Sequence, residues 1–141
     1  METNLMQLKE LFHLEEQDLR SYSPLTLAYI GDGIYELIIR TILVKQGNCP
    51  VNRLHKKASS LVKASAQSAI MEVIEEELTP EELSVYRRGR NAHSPTMAKH
   101  ATMADYRRAT GFEALMGYLY LKEDYTRMLK LIRMGIEEDK L

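Results

Sequence analysis

The stretch from Ser23 to Gly47, SPLTLAYIGDGIYELIIRTILVKQG, limits what this chain can fold into more than any other. Ser23 can cap the first free N–H groups of a helix, Pro24 suits its first position, and Gly47 offers a left-handed stop. Between them, apolar residues return at three- and four-residue steps and cover most of the circumference. We therefore expect one long helix, buried on nearly all sides.

Two carboxylates interrupt this apolar helix. Asp32 and Glu36 are one turn apart, which puts them on the same face, and an unpaired charge inside a core is costly. We therefore expect a cationic group beside them. Gly31 and Gly33 each cost roughly 1 kcal/mol of helix stability relative to alanine, which suggests that another backbone or a ligand approaches closely.

The other segments with apolar periodicity are also helical in spacing. A short helix or turn over 1–16 is expected to cover the core helix, and one long helix is expected over 51–78, with a break near Ser65 left open. Thr79, Pro80, Glu81 and Glu82 form a helix start. Further helical segments are expected over 97–106, 111–122 and 124–135. No stretch shows convincing strand alternation, so we predict an all-α fold and a single domain over 1–141.

Composition narrows the function classes. The net charge of −1 gives no global sign of a polyanionic partner, so any nucleic-acid contact must be local. Cys49 is the single cysteine, which excludes an internal disulfide and a cysteine-based zinc cluster. The charged N-terminal segment does not have the pattern of a signal peptide, and the longest apolar runs are too short to span a membrane. We expect a cytoplasmic protein without a membrane partner.

A third carboxylate stands out in the second half of the chain. Glu113 lies in the apolar segment GFEALMGYLYL and, like Asp32, it is close to glycines. If the two helices meet, Asp32 and Glu113 could bind a hard cation such as Mg²⁺, which takes one or two protein carboxylates plus waters and phosphate. The alternative is that each acid pairs with a nearby arginine or lysine as a structural ion pair. Spacing alone leaves both interpretations open.

A basic block follows an acidic one. The acids lie between Glu72 and Glu82, whereas the basic block is opposed only by Asp105 and comprises Arg87, Arg88, Arg90, His93, Lys99, His100, Arg107 and Arg108. A second, weaker basic face contains Asn52, Arg53, His55, Lys56, Lys57 and Lys63. Either face could contact phosphates, and either could be a solvated surface.

Two motifs resemble those of a known family. The segment from Leu27 to Glu36, LAYIGDGIYE, resembles the signature helix of ribonuclease III, L-E-F-L-G-D-[AS]-V-L. The segment over 111–121 resembles its second stretch, D-A-F-E-A-L-I-G-A-I-Y-L. The motifs stand in the family's order, and the resemblance covers essentially the whole chain, with no room for a double-stranded-RNA-binding domain. With the stretch RRGRNA from Arg87, the chain is similar to the short bacterial form called Mini-ribonuclease III.

The resemblance implies a ribonuclease III endonuclease-domain helical fold and specific site residues. Asp32 falls on the family's metal-binding aspartate and Glu113 on its metal-binding glutamate. The family's other two acids are absent, because Ala28 and Thr110 occupy their positions, which puts a two-metal arrangement in doubt. Glu36 is a further candidate metal ligand from its place one turn beyond Asp32.

The resemblance also implies a homodimeric endoribonuclease that cleaves double-stranded RNA with Mg²⁺. The implied substrate is the precursor of large-subunit (23S) ribosomal RNA, with a ribosomal protein as a candidate partner that presents the RNA. We expect the RNA contacts to come from Arg87, Arg88, Arg90, Asn91, Lys99 and His100, with Lys56 and Lys57 as a second set. The alternatives are a noncatalytic module that binds double-stranded RNA or the ribosome, and a helical interaction domain without nucleic acid.

Overall fold

The computed structural model describes residues 2–92 and 102–141 of the chain. These residues form seven α-helices and three short 3₁₀ segments, and no β-strand occurs among them. The predicted all-α class is confirmed. The helices are α1 (Glu2–Leu11), α2 (Pro24–Lys45), α3 (Val51–Val62), α4 (Ala64–Ile74), α5 (Pro80–Arg90), α6 (Met103–Leu121) and α7 (Tyr125–Gly135).

Helix α2 begins and ends as its sequence predicts. Ser23 Oγ accepts a hydrogen bond from the backbone N–H of Thr26 at 3.1 Å, and Gly47 has a positive φ of 135° just beyond the last turn. The expectation that α2 is buried on nearly all sides is wrong. Tyr29 is 81% exposed, Leu37 54% and Val44 59%, because α3, α5 and α6 contact only the other sides of the helix.

The expected long helix over 51–78 is two helices. Lys63 has an extended backbone (φ −65°, ψ 158°) and separates α3 from α4. The break changes the phase of the second helix. An uninterrupted helix would continue the stripe of Leu54, Ala58 and Leu61 through Ser65, Ala69 and Val73, but these last three residues are exposed. The residues that α4 buries instead are Gln67, Ser68, Ile70, Met71 and Ile74.

Helix α6 lies at the centre of the packing. It joins residues of both segments expected over 97–106 and 111–122 into a single continuous helix, whose start at Met103 is capped by Thr102 Oγ1. The rings of Phe112 on α6 and Tyr35 on α2 pack edge to face with centroids 5.0 Å apart. The Tyr35 hydroxyl donates to the carbonyl oxygen of Leu61 at 2.7 Å, which ties α3 to the same core.

Helix α5 is tied to α7 by a buried ion pair. The predicted helix start is confirmed, and the structure shows it to be a capping box, since Thr79 and Glu82 exchange hydrogen bonds between side chain and backbone. Glu82 is 5% exposed, and its carboxylate accepts two bonds of 2.9 Å from the Arg127 guanidinium. This ion pair holds the start of α5 against the start of α7.

Helix α1 is placed differently from the expectation that it covers α2. Lys9 Nζ lies 3.1 Å from Glu123 Oε2, just beyond the C-terminal end of α6.

Within 2–92 and 102–141, none of the helices has both the length and the apolar character that a membrane crossing requires.

Candidate active site

The site is built where α2 and α6 cross backbone to backbone. A Cβ added to Gly31 would overlap the carbonyl oxygen of Glu113, and one added to Gly117 would overlap the carbonyl oxygen of Leu27. Each helix therefore contributes one glycine to the contact and presses its main chain against the other. The close approach of another backbone, expected at Gly31, is confirmed, whereas a Cβ added to Gly33 would meet no described atom within 4 Å.

This crossing brings Asp32 and Glu113 together. Asp32 follows Gly31 and is exposed, while Glu113 is half-buried beside it. Burial and, next, hydrogen bonding and repulsion with Asp32 raise the pKa of Glu113 to about 8, and the Gln67 side chain acts in the opposite direction. No cationic side chain is among the groups that act on the Glu113 carboxyl in the portion of the chain described. The cationic group expected beside Asp32 and Glu36 is found at Glu36, which pairs with Arg40, whereas the neighbour of Glu113 is a second acid, Asp32.

Glu36 is held by a different partner. Its Oε1 accepts a hydrogen bond from Arg40 Nη2 at 3.0 Å, one turn further along α2. Across 2–92 and 102–141, no three side chains of aspartate, glutamate, histidine or cysteine come together as a metal-binding group. The structure thus brings Asp32 and Glu113 together and does not gather Glu36 with them.

The two positions that lack the family's acids are both buried near this crossing. Ala28 lies on α2 one turn before Asp32, and Thr110 lies on α6 one turn before Glu113. The Thr110 hydroxyl donates to the carbonyl oxygen of Tyr106 at 3.0 Å, so it is occupied within its own helix. Neither position supplies a carboxylate.

The chemistry of the remaining donors fits a divalent cation. The two adjacent carboxylates repel each other when both are ionised. Among the described residues, no cationic side chain acts on Glu113 to offset this repulsion, and a bound cation would relieve it. Mg²⁺ prefers oxygen ligands and is commonly held by one or two carboxylates, with water completing its shell. Asp32 and Glu113 are therefore the residues that could hold it.

A basic groove is formed at the C-terminal end of α5. Arg87, Arg88 and Asn91 are exposed and line it together with Pro24, Pro80, Leu83 and Ser84. A second glycine contact sets this end of α5 against α6, since a Cβ on Gly89 would lie 2.8 Å from Ala114 Cβ and 2.9 Å from Gly111 Cα. The same helix α6 therefore positions Glu113 and the basic end of α5.

The other predicted RNA contacts are not all in this groove. The Arg90 guanidinium lies over the Tyr86 ring at 5.6 Å, and its Nε donates to Asn91 Oδ1 at 3.4 Å. Lys56 and Lys57 are exposed on α3, where Lys57 Nζ donates to the backbone oxygen of Leu141 at 3.0 Å. Lys99 and His100 lie outside the described residues.

Sequence reasoning missed Gln67. This side chain is 2% exposed on α4 and lies against the Glu113 carboxyl, whose pKa it lowers. An amide among Ile70, Met71 and Ile74 stands out only when the phase of α4 is known. The break that sets this phase lies at Lys63, close to Ser65, where the sequence leaves an interruption open without requiring one.

The comparisons with known proteins agree with this geometry. A family model described as "Ribonuclease III domain" matches residues 25–124, which contain both glycine crossings and both acids. The chain is 48% identical over 122 residues to Mini-ribonuclease 3 of Clostridium tetani, covering 86% of this chain and 81% of that protein. It is 45% identical over 124 residues to Mini-ribonuclease 3 of a Thermoanaerobacter species, covering 88% and 87%.

A solved structure shows the same fold. The crystal structure of a Fusobacterium nucleatum protein superposes with a TM-score of 0.77 at 33% sequence identity, covering 84% of this chain and 91% of that one. With the family match and the similarity to several proteins named Mini-ribonuclease 3, this confirms the predicted fold family and enzyme class. The chain belongs to the ribonuclease III family and is an endoribonuclease of that type.

Proposed function

We propose that this endoribonuclease cleaves double-stranded RNA with a divalent cation, Mg²⁺, held by Asp32 and Glu113. The observation that carries the proposal is the crossing of α2 and α6, where these two acids lie side by side. Within the described residues, no cationic side chain acts on the Glu113 carboxyl. A fold without use for the pair would gain stability by replacing one of them, because adjacent carboxylates oppose each other's ionisation.

Each acid has a separate task in this site. Glu113 is half-buried and held by a helix whose main chain is packed against α2, so it forms the rigid side of the site. Asp32 is exposed and forms the side that the RNA backbone can approach. When bound, Mg²⁺ supplies positive charge that favours ionisation of water and stabilises the negative charge developing on the phosphate.

Arg87, Arg88 and Asn91 bind the RNA backbone in this proposal. Duplex RNA hides its base edges in a deep major groove, so recognition depends mainly on phosphates and 2′-hydroxyl groups. Exposed guanidinium groups suit this task because they donate several hydrogen bonds to phosphate oxygens. Arg90, which stacks on Tyr86, supports the end of the helix in addition to adding charge.

The exposed apolar face of α2 suits a homodimer. Tyr29, Leu37 and Val44 project from a helix whose opposite side is in the core. A second copy related by twofold symmetry would cover this face and give each RNA strand its own site. Asp32 lies on the same helix, so dimer formation and the active site would share α2.

The proposed substrate is a precursor of large-subunit (23S) ribosomal RNA in the cytoplasm, with a ribosomal protein as the partner that presents it. The support is the similarity over most of the chain to proteins named Mini-ribonuclease 3, together with the motifs over 27–36 and 111–121.

The test is cleavage of an end-labelled duplex RNA containing a ribosomal precursor stem, with Mg²⁺ or with chelator. We expect metal-dependent cuts by the native protein and none by Asp32→Asn or Glu113→Gln, while both variants still bind the duplex. Glu36→Gln is the matched control on α2, because Glu36 pairs with Arg40 and, in the described regions, is not gathered with the other two acids. Binding without cleavage by the native protein would support the noncatalytic module instead.

A further inference from the structure

The stretch over 37–71, which contains all of α3, has no aspartate or glutamate, although the whole chain carries a net charge of −1. Its lysines and arginines are Arg40, Lys45, Arg53, Lys56, Lys57 and Lys63. Arg40 pairs with Glu36, and Lys57 Nζ donates to the backbone oxygen of Leu141. The side chains of Lys56 and Lys63 are exposed and, among the described residues, have no hydrogen-bond or ion-pair partner.

One face of α3 and its C-terminal cap carries a line of polar residues. Four exposed residues follow one another at steps of four, three and four along the chain: Asn52, Lys56, Ser59 and Lys63. Steps of three and four bring residues onto the same face of a helix. The line is about 16 Å long at 1.5 Å per residue. We call it the α3 stripe, and the buried side of the helix, with Ala58 and Leu61, faces away from it.

The neighbouring lysine lies on another side of α3. Lys57 comes one residue after Lys56, which turns it by about 100° around the helix. Its side chain reaches the backbone oxygen of Leu141 at 3.0 Å. Arg53, one turn earlier, lines a small cavity together with Lys57 and Cys49. The helix therefore presents two basic sides, and only the α3 stripe has lysines without a partner in the described structure.

The C-terminal end of α3 lies beside the part of α2 that carries Asp32. The hydroxyl of Tyr35, one turn after Asp32, donates to the carbonyl oxygen of Leu61 at 2.7 Å. Leu43, three turns after Asp32 and on the same face of α2, lines a cavity with Ala58. Helix α3 therefore packs on the side of α2 to which Asp32 belongs, and the last residue of the α3 stripe is the one nearest the acids.

The basic groove and the α3 stripe lie at opposite ends of this part of α2. The groove reaches the helix at Pro24, before Asp32, and α3 is bonded to it at Tyr35, after Asp32. An RNA backbone that passes from the groove over the acids next meets the α3 stripe. The groove alone places positive charge on one side of the cleavage point only.

We propose that the α3 stripe is a second surface for duplex RNA, which continues the contact that the basic groove begins. Lys56 and Lys63 bind phosphate oxygens. Asn52 and Ser59 donate hydrogen bonds to phosphates or to 2′-hydroxyl groups, the groups by which duplex RNA is recognised. Lys57 takes no part in this contact. The inference rests on the proposed cleavage of double-stranded RNA.

The experiment measures binding of the full chain to duplex RNA by filter binding, in chelator so that the RNA is not cut, at several salt concentrations. The variants are Lys56→Ala, Lys63→Ala and the two combined. Lys57→Ala is the discriminating comparison, because it removes the same charge from the same helix but not from the α3 stripe. Melting temperatures show which variants are folded, and Lys63→Gln replaces Lys63→Ala if the cap is disturbed.

We expect Lys56→Ala and Lys63→Ala each to weaken binding and to reduce the magnitude of the slope of log K against log salt concentration by about 1, and the double variant by about 2. Lys57→Ala should leave the slope nearly unchanged. Asn52→Ala should weaken binding about two- to tenfold with the native slope, because it removes a hydrogen bond and no charge.

Native slopes in folded Lys56→Ala and Lys63→Ala would overturn the inference. An equal reduction in Lys57→Ala would also overturn it, because the effect would then come from the charge of the whole helix. Arg87→Ala separates this failure from that of the proposed function. If Arg87→Ala lowers the slope and the α3 variants do not, the groove stands and only the α3 stripe is wrong. A native chain that does not bind duplex RNA would overturn both.

Discussion

The carbonyl oxygen of Glu113 lies where the side chain of any residue other than glycine at position 31 would begin. Asp32 comes directly after Gly31, so the backbone contact that joins the two central helices also sets the two acids beside each other. The proposed active site is therefore built into the core packing rather than into surface loops. Substitutions that separate α2 from α6 should damage stability and the site together.

The crossing predicts a strong asymmetry between two glycines of α2. Gly31→Ala should lower the free energy of unfolding by about 3 kcal/mol or more, because the added methyl group meets backbone that cannot move aside. Gly33→Ala is the control in the same helix, and with open space around it the change should raise stability by up to about 1 kcal/mol. Urea denaturation measures both, and equal effects would contradict the observed crossing.

The raised pKa of Glu113 predicts a pH dependence of stability in metal-free protein. The carboxyl has an ordinary value of 4.5 and titrates near 8 in the fold, so its protonated form favours the folded state. That contribution is complete below about pH 4.5 and is lost as the pH rises through about 8. The free energy of unfolding in chelator should fall by on the order of 1 to 3 kcal/mol between about pH 5 and about pH 8.

Glu113→Gln tests the origin of this slope. The amide cannot ionise, so the stability of the variant, measured by thermal unfolding, should change much less with pH over the same range. Glu76→Gln, at an exposed position of the acidic block, should keep the native slope. A slope that is the same in Glu113→Gln and the native protein would assign it to other groups.

The basic groove predicts how salt affects RNA binding. Arg87→Ala and Arg88→Ala should each weaken duplex RNA binding and reduce the magnitude of the slope of log K against log salt concentration by about 1, because each removes one phosphate contact. Arg20→Ala is the control, since Arg20 is exposed, pairs with Asp18 at 3.0 Å and does not line this groove. Filter binding at several salt concentrations gives the slopes, and an unchanged slope would remove that arginine from the interface.

The exposed face of α2 predicts a dimer that a single charge can break. Leu37→Glu places a carboxylate on this face and should shift the protein to monomer in sedimentation equilibrium, with little change in the melting temperature of the protomer. Val73→Glu introduces a carboxylate at an exposed position of α4 and should leave the oligomeric state unchanged. A native protein that sediments as a monomer at assay concentrations would count against the homodimer.

Local signals in the sequence predict the elements that depend on neighbouring residues. The cap at Ser23, the stop at Gly47 and the helix start at Thr79 are each made within a few residues, and all are confirmed. The sequence leaves a break near Ser65 open but does not place it at Lys63, because no proline or glycine marks that residue. Without the position of the break, the buried face of α4, which includes Gln67, does not follow from the spacing.

The sequence by itself determined the helical class, the family motifs and the identity of the two acids, because periodicity, caps and motif spacing are local properties of the chain. Only the tertiary structure decided what these residues meet. It placed Asp32 beside Glu113, paired Glu36 with Arg40, and left one face of α2 exposed. The reason is that two glycines let α2 and α6 touch along their backbones, and the phase of that contact depends on residues far apart in the chain.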